Sequence, residues 1–377
     1  MKIKISGLLI VALLILTHTL STAQSAKKKY MVVGYIGVRG WTGKDIKAGQ
    51  MTHMIYAFAH LIQTGVLAPA SVKDSTNLAA LDSVRDANPG MKVLISVGGW
   101  GGCRYFSDAS LTDSSRARFV GSAMAFINKF KLDGIDIDWE YPGQIGANNI
   151  FRPVDKENFT LLLRDLRAAL DKQSSTDQHG RYLLSTATGV DSVYMSHTDI
   201  PGMNKYVDFI NLMTYDIYHG NDHVTGHHSP LYQSAVGKQE RASTAGTVEN
   251  YMALGVPASK LVIGVPFYCR GWTDVPDKDN GLYEPSAGQR LSFGYDSVAN
   301  GYINKNGYKY YWDSKAKAPY LWNPETHTFI SYEDERSLKY KMKYMKKMQL
   351  GGVMFWEYTL DIKKQNLLNV LDEAAAD

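Results

Sequence analysis

The sequence predicts an α/β protein built on a closed (β/α)8 TIM barrel, with a small α+β insertion between strand 7 and helix 7. Eight apolar, β-rich segments recur along the 377 residues, with helical stretches between them. Several are apolar at successive positions, which is typical of parallel strands buried on both faces. The predicted strands are Met31–Ile36, His53–Ala59, Lys92–Val97, Gly134–Glu140, Tyr182–Ala187, Asp208–Tyr215, Leu261–Tyr268 and Gly351–Trp356.

The segments between these strands include amphipathic helices, most clearly Arg116–Phe130 and Lys156–Lys172. Eight strand–helix repeats in a chain of this length favour one closed barrel. The alternative is an open doubly wound sheet, which usually has a glycine-rich phosphate-binding turn after its first strand. The corresponding stretch here, Gly34–Gly37, is not such a turn, so we expect the closed barrel.

One interval is too long for an ordinary barrel unit. Residues 269–350 separate the seventh and eighth predicted strands, and positions 280–332 contain twelve aromatic residues among scattered prolines and glycines. This composition predicts an inserted α+β subdomain at residues 273–331. We expect most of its aromatic side chains to form a small core of their own, and the subdomain to add a wall to a cleft.

The N-terminus has the pattern of a signal peptide. Lys2 and Lys4 precede an apolar run that ends near Leu20, and the small residues at 21–23 resemble a cleavage site. A membrane anchor is the alternative, but the run is short for a spanning helix and His18 interrupts its end. We therefore predict a signal peptide at residues 1–23, the barrel at 24–377, and a secreted protein, extracellular or periplasmic.

Composition argues against several kinds of partner. The formal charge is only +4, and no long basic block occurs beyond Lys27–Lys29, which argues against nucleic acid. With 45% hydrophobic and 21% charged residues, the chain is not of a disordered type. No later segment is long and apolar enough to cross a bilayer, so we expect no stable membrane insertion once the signal peptide is removed.

The two cysteines are expected to remain unpaired. Cys103 follows the third predicted strand and Cys269 the seventh, so they fall on opposite sides of an eight-stranded ring. Disulfide-bonded Cα atoms must approach within about 7 Å. An export signal permits disulfides but does not require one here.

A cluster of histidines resembles a metal site by composition. Its spacing matches no helix-borne zinc pattern, because glycine and proline lie among the histidines. We therefore expect no metal and no cofactor. The residues concerned are His219, Asp222, His223, His227 and His228.

Three carboxylates lie on one face of the fourth predicted strand. Side chains alternate along a strand, so Asp136, Asp138 and Glu140 share one face, and the Ile and Trp residues between them share the other. In a barrel the carboxylates would point inward and step towards the C-terminal end, where active sites lie. Crowding and burial would raise some of their pKa values, so Glu140, the outermost, is predicted to be a general acid.

This acidic strand, Asp133–Glu140, resembles the DGxDxDWE signature of family 18 glycoside hydrolases, the chitinases. The resemblance continues over nearly all of the predicted mature chain, including the insertion typical of the deep-cleft subfamily. Cys269 stands where the family usually has glycine, and its bulk would shift Arg270. The other matching segments are Ser96–Trp100 (SxGGW), Met213–Asp216 (MTYD), Gly264–Arg270 (GxPxYGR) and Gly351–Trp356 (the eighth strand and its Trp).

The resemblance implies a retaining, substrate-assisted mechanism, in which the N-acetyl oxygen of the substrate attacks the anomeric carbon and forms an oxazolinium intermediate. Glu140 would protonate the leaving oxygen and then activate water. Asp138 would bind the acetamido N–H and share a proton with Asp136. Tyr215 would donate its hydroxyl to the acetamido oxygen.

The resemblance also implies a set of substrate-binding residues. Trp356 would form the floor under the distorted sugar ring, because its flat apolar face suits a pyranose. Asp133 is expected to be structural, and Ser96 with the following glycines to shape the strand end. The predicted substrate-binding residues are Tyr35, Phe58, Trp100, Tyr141, Met213, Asp216, Tyr268, Arg270 and Trp356.

The predicted function is therefore hydrolysis of chitin or chito-oligosaccharides by a monomeric enzyme. An endo-β-N-acetylglucosaminidase acting on N-glycans is one alternative, but such relatives usually have a shorter acidic motif and lack the insertion. A chitin-binding lectin is another, but lectins on this fold typically lose the acid that Glu140 provides. A purely structural barrel would not need inward carboxylates. Endo versus exo action, processivity and subsite number stay open.

Overall fold

Residues 30–236 and 241–376 are described in a computed structural model of the chain. The predicted signal peptide, residues 1–23, lies outside these ranges. Within them, no helix combines the length and apolar character that crossing a bilayer requires.

The elements are numbered in chain order. The strands are β1 (Met31–Ile36), β2 (His53–Leu61), β3 (Leu67–Pro69), β4 (Lys92–Gly98), β5 (Gly134–Asp138), β6 (Leu183–Thr188), β7 (Phe209–Leu212), β8 (Leu261–Pro266), β9 (Arg270–Trp272), β10 (Arg290–Leu291), β11 (Lys309–Asp313), β12 (Ala318–Asn323), β13 (Thr328–Ser331) and β14 (Gly352–Trp356). The α-helices are α1 (Val72–Ala87), α2 (Phe106–Ser110), α3 (Asp113–Phe130), α4 (Asp155–Ser174), α5 (Ser192–His197), α6 (Ile200–Met203), α7 (Thr244–Ala253), α8 (Tyr295–Gly301), α9 (Glu335–Lys347) and α10 (Asn366–Ala376).

Eight parallel strands close into a barrel. Their order around the ring is β1, β2, β4, β5, β6, β7, β8 and β14, and β1 pairs with both β2 and β14. The short strand β3 pairs antiparallel with the end of β2. The predicted (β/α)8 barrel is therefore confirmed, and each predicted strand overlaps one strand of the ring.

Several strands end earlier than the sequence predicts. The predicted strand Asp208–Tyr215 ends at Leu212, and the amides of Thr214 and Tyr215 form tight turns by bonding to carbonyl oxygens two residues back. Asp216 then takes a positive φ of 55°. The MTYD motif thus lies just beyond the ladder, at the barrel end where loops carry functional side chains.

The outer face of β5 packs under the helices, as its alternation predicts. Trp139, which directly follows β5, is buried; its ring stacks on Phe106 of α2 at 5.2 Å and meets the edge of Phe159 of α4 at 5.5 Å. Helix α3 begins before the predicted Arg116 because Thr112 and Ser115 form a capping box at its N-terminus. These contacts leave the opposite face of β5 pointing into the barrel.

A second sheet is inserted between β8 and α9. Its five antiparallel strands run in the order β10, β9, β13, β12, β11. Helix α8 lies between β10 and β11 in the sequence. Aromatic side chains form its core, including Trp272, Trp322 and Phe329. The sheet gives this region a hydrophobic core separate from that of the barrel.

Both cysteines are buried and unpaired. Cys103 lies beyond the end of β4 and Cys269 beyond the end of β8. The prediction that they do not form a disulfide is confirmed.

At the opposite end of β5, Asp133 joins two strands of the barrel. Its carboxylate accepts the backbone N–H of Val93 at 2.8 Å and the ammonium of Lys92 at 3.0 Å. Since Val93 is the second residue of β4, this side chain satisfies a buried amide at the N-terminal edge of the sheet. The contact agrees with the structural role predicted for Asp133.

Replacing Asp133 with alanine is expected to lower the free energy of unfolding by about 1–3 kcal/mol, because the Val93 amide loses its buried partner. Urea denaturation measures this loss. The control is Asp82→Ala, which removes a carboxylate that is 52% exposed and pairs with Arg85; it should cost less than about 0.5 kcal/mol. Equal, small losses in both variants would contradict the role of Asp133.

Candidate active site

Three carboxyl groups form a column inside the barrel, rising towards its C-terminal end. Asp136, Asp138 and Glu140 are 0%, 4% and 8% exposed, so access to solvent increases along the column. Their burial, together with the packing of Trp139 on the other face, matches the predicted alternation. The outermost of the three, Glu140, is the second residue after the end of β5.

Asp136 is held by side chains from four other strands. Its Oδ2 accepts hydrogen bonds from the hydroxyls of Tyr35 at 2.9 Å and Ser96 at 2.8 Å. Its Oδ1 accepts from Ser185 Oγ at 2.7 Å and Asn211 Nδ2 at 3.4 Å. Burial raises the pKa of Asp136, and the four hydrogen bonds oppose that shift without cancelling it.

Asp138 has a different environment at the middle of the column. Its Oδ1 is buried and has no hydrogen-bond partner among the described residues. Burial raises the pKa of Asp138 well above its usual range, and the charges of Glu140 and Asp136 raise it further. The pair Asp136–Asp138 is therefore suited to hold a proton near neutral pH.

Glu140 is poised between its two protonation states. Burial raises its pKa to about 7, the hydrogen bond from the Tyr141 hydroxyl and the Trp100 backbone N–H oppose the shift, and the charge of Asp216 adds to it. The Glu140 amide donates to Cys103 Sγ at 3.1 Å. A carboxyl group with a pKa near neutrality can act as both acid and base.

Two glycines allow the end of β4 to approach this column. Gly98 has φ of 117°, and a Cβ there would lie 2.0 Å from the carbonyl oxygen of Asp138. Gly99 has φ of 76°, and a Cβ there would lie 2.4 Å from the ring of Phe58. Both positions therefore require glycine, and the predicted strand-shaping role agrees with this geometry.

An aromatic floor lies beside the carboxylates. Trp356 stacks on Phe58 with ring centroids 5.6 Å apart and planes at 21°, and its ring lies 5.7 Å from that of Tyr35. Met213 and Tyr215 pack against the same inner cluster. The peptide bonds that follow Ala57, Glu140 and Trp356 are cis.

A polar cluster lies at the ends of β7 and β8. Arg270 Nε and Nη2 donate to the two carboxylate oxygens of Asp216, each at 2.7 Å, and the Tyr268 hydroxyl donates to Asp216 at 2.8 Å. Burial raises the pKa of Asp216, but His228 and Arg270 lower it well below its usual range. Cys269, buried between Tyr268 and Arg270, does not prevent this bidentate contact.

Two aromatic side chains lie on the side of Glu140, and the outer one, Trp100, faces solvent. Trp100 is 64% exposed, and its ring centroid lies 6.5 Å from that of Tyr141. Tyr141 in turn meets the edge of Tyr194 at 5.8 Å. The site thus combines an acid with a free ring face at its mouth.

Residues 31–361 match the family described as Glycosyl hydrolases family 18. The chain belongs to glycosyl hydrolase family 18. The resemblance drawn from its five motifs is confirmed.

Relatives of the family 18 chain include enzymes from bacteria and animals. It is 39% identical over 302 residues to Chitinase A1 of Niallia circulans, covering 76% of this chain and 43% of that protein. It is 33% identical over 339 residues to Chitotriosidase-1 of Mus musculus, covering 86% of this chain and 70% of that one. A solved structure of a family 18 N-acetylglucosaminidase from Paenibacillus barengoltzii matches at 40% identity with a TM-score of 0.85, covering 92% of this chain and 99% of that chain. The chain thus spans less than half of Chitinase A1.

The histidine-rich loop of this family 18 chain does not gather at one point. Within residues 30–236 and 241–376, no group of three or more His, Cys, Asp or Glu side chains could hold a metal ion. The loop side chains contact separate partners instead: His219 with Asp222, His223 with Arg290, His227 with Asp313, and His228 with Asp216.

The structure also brings forward residues that sequence reasoning missed. Ser185 and Asn211 bind Asp136, and His228 lies 3.7 Å from Asp216. The signal for Asn211 was available, because it is the one polar residue of β7. Ser185 was less distinct, because Thr186 and Thr188 lie on the same strand. Cys103, treated above only as a thiol, accepts the Glu140 amide, and no sequence pattern indicated that contact.

The pKa of Glu140 is expected to fall below about 7 in Asp216→Asn, because the variant removes a negative charge that raises it and releases the positive charge of Arg270. Carboxyl ¹³C NMR titration measures the shift, with Glu140→Gln assigning the signal.

Asp313→Asn serves as the control for that titration, since Asp313 pairs with His227 in the inserted region. It should leave the Glu140 midpoint unchanged. A wild-type midpoint near the ordinary glutamate value of about 4.3 would contradict the electrostatics of the site.

Proposed function

We propose that this chain hydrolyses β-1,4-linked N-acetylglucosamine polymers, chitin or chito-oligosaccharides, with retention of configuration. The observation that carries the proposal is the buried column of three carboxyl groups ending in Glu140, beside the aromatic floor of Trp356. The names of two relatives, Chitinase A1 and Chitotriosidase-1, support the substrate class.

In the first step Glu140 gives its proton to the glycosidic oxygen as the bond from that oxygen to C1 breaks. The acetamido oxygen of the same sugar forms a bond to C1, which gives an oxazolinium ion. In the second step Glu140, now ionised, takes a proton from a water molecule as that water attacks C1. The bond between C1 and the acetamido oxygen breaks, which opens the oxazolinium ring and restores the acetamido group. A pKa of about 7 suits both roles, and the held neighbouring group replaces a bimolecular encounter.

Asp138 and Asp136 would stabilise the intermediate. The buried Oδ1 of Asp138 has no partner among the described residues, so a substrate acetamido N–H can become its partner. A proton shared with Asp136 would leave Asp138 negative when the positive ring forms. Asp136 can take part because burial favours its protonated form while its four hydrogen bonds stabilise the ionised one.

Tyr215 and Trp356 would position the reacting sugar. Among the described residues, the Tyr215 hydroxyl makes a long 4.0 Å contact with Met354 Sδ, so it is well placed to donate to the acetamido oxygen. The indole of Trp356 offers an apolar face to the C–H face of the pyranose. Tyr35, Phe58 and Met213 would line the same pocket.

The remaining predicted residues would bind neighbouring sugars. Asp216 and Arg270, joined to each other and to Tyr268, present polar groups to sugar hydroxyls or acetamido groups. Trp100 and Tyr141 lie on the side of Glu140, where the leaving part of the substrate would pass. The exposed indole of Trp100 offers a flat apolar face on which a sugar ring can stack.

The place of action is proposed from the N-terminal pattern alone. The basic start, apolar run and small-residue site at residues 1–23 support export of the mature chain. A monomer is proposed, working on a polymeric substrate in the extracellular space or the periplasm.

A second candidate is an exo-acting N-acetylglucosaminidase. The Paenibacillus barengoltzii relative is described as an N-acetylglucosaminidase, and this chain covers 99% of its structure. The two candidates share the site and the mechanism, and they differ in product. Release of single N-acetylglucosamine units from a labelled chitohexaose would favour the exo enzyme, and release of longer fragments the chitinase.

Glu140→Gln is expected to reduce kcat on chito-oligosaccharides by at least about 10²-fold, because the leaving oxygen loses its acid. ¹H NMR of the wild-type reaction should show the β-anomer as the initial product. The matched control is Glu284→Gln, an equally buried glutamate that pairs with Lys278 near the inserted sheet, and it should keep the wild-type rate.

If the wild-type protein binds chito-oligosaccharides without cleaving them, the proposed hydrolase activity is wrong and the protein is a lectin. Release of N-glycans with no action on chitin would keep the site and change the substrate. An initial α-anomer would reject the substrate-assisted route.

A further inference from the structure

A buried ion pair lies behind the candidate active site. Lys341, on α9, and Glu333, just after β13, form it with side chains that are 0% and 1% exposed. Ser337 Oγ donates to the second carboxylate oxygen of Glu333. Taking two charges out of water costs about as much as their attraction returns, so a buried pair is weak grounds for stability alone. Its contacts point to another role.

The ammonium of Lys341 reaches the backbone beside Tyr215 through one serine. Lys341 Nζ donates to Ser229 Oγ at 2.6 Å and to Ser229 O at 2.8 Å. Ser229 Oγ in turn donates to the carbonyl oxygen of Thr214 at 2.8 Å. The ion pair is therefore two hydrogen bonds away from the residue that precedes Tyr215.

The backbone at Tyr215 needs such support because it has left the β ladder. Strand β7 ends at Leu212, and the amides of Thr214 and Tyr215 bond only to carbonyl oxygens two residues back, at 2.8 and 2.7 Å. Thr214 Oγ1 is fixed on one side by Gly264, whose N–H and C=O it contacts at 3.0 and 2.7 Å. The Thr214 carbonyl is fixed on the other side by Ser229.

The inserted sheet supports the same loop at a neighbouring point. Ser331 Oγ, on β13, accepts the amide of His228 at 3.0 Å, and the His228 carbonyl accepts the amide of Ile217 at 3.1 Å. Since Glu333 follows Ser331 by two residues, one end of the insertion holds the loop that brackets the MTYD segment. The insertion therefore contacts, through β13, the loop that supports the MTYD segment of the candidate active site.

We propose that Glu333 and Lys341 are positioning residues, which hold the Thr214 carbonyl through Ser229 and thereby fix the Tyr215 hydroxyl where the substrate acetamido group must meet it. This rests on the proposed function of Tyr215. Glu333 orients the lysine, the lysine orients the serine, and neither charge touches substrate.

The test is the double variant Glu333→Gln with Lys341→Met, which removes both charges and keeps side chains of similar length. Because no unpaired charge is left buried, its unfolding free energy should stay close to that of the wild type. Its kcat on chito-oligosaccharides should nevertheless fall by about 10–100-fold, the loss that a misplaced catalytic group causes, with KM changed less than about threefold.

A Tyr215→Phe background separates positioning from general damage. If the ion pair acts through the Tyr215 hydroxyl, adding the double variant to Tyr215→Phe should reduce kcat by less than about twofold further, because coupled residues are not additive. If the fold reductions in kcat of Tyr215→Phe and of the double variant multiply when the changes are combined, the proposal is overturned. A wild-type kcat in the double variant would also overturn it.

Arg116→Met is the matched control, since it removes a buried cation paired with Asp165 between α3 and α4. It should lower stability and leave kcat unchanged.

A readout without turnover keeps the two proposals distinct. In protein labelled with ¹³C-tyrosine, the Tyr215 signal, assigned by Tyr215→Phe, should move in the double variant and stay in place in Arg116→Met. An unmoved signal would overturn the positioning role whatever the activity. If the signal moves in the double variant but the wild-type protein cleaves no chito-oligosaccharide, the proposed function is overturned and the positioning role stands.

Discussion

The enclosure of a carboxyl group at the centre of a closed barrel is the constraint on which the rest of this structure depends. Asp136 loses its hydration there, and an unpaired buried charge would cost more than the net stability of a domain. The barrel replaces water with donors from four strands, namely Tyr35, Ser96, Ser185 and Asn211. Each strand must keep its register, since a slip of one residue would turn its donor outward.

The same enclosure gives three chemically similar groups on one strand three different environments. Asp136 is deepest and fully hydrogen-bonded, Asp138 is buried with an oxygen that has no partner in the described chain, and Glu140 lies at the mouth with a pKa of about 7. Depth and donors, rather than residue type, therefore separate the acid from its supporting carboxylates. A barrel provides such a gradient because its strands run from a closed end to an open one.

Periodicity predicted the orientation of β5, because alternation is a property of a single strand. The partners of its side chains were less accessible to sequence reasoning. Asn211 donates to Tyr35 from 176 positions away, and that contact exists only once the ring has closed. Strand ends were also misjudged, since apolar character continues past Leu212 while the backbone already turns. The family motifs compensated for this, because they mark residues that lie beyond the ladder, such as Tyr215.

The two buried thiols can report local unfolding of the folded chain. Burial raises the pKa of Cys269 to about 12 and that of Cys103 well above the usual range, so neither forms a reactive thiolate in the closed molecule. Cys103 contacts the backbone of Glu140 at the outer end of the carboxylate column, and Cys269 directly precedes β9 of the inserted sheet. The alkylation rate of each thiol therefore reports local opening of its own region, and no engineered probe has to be introduced.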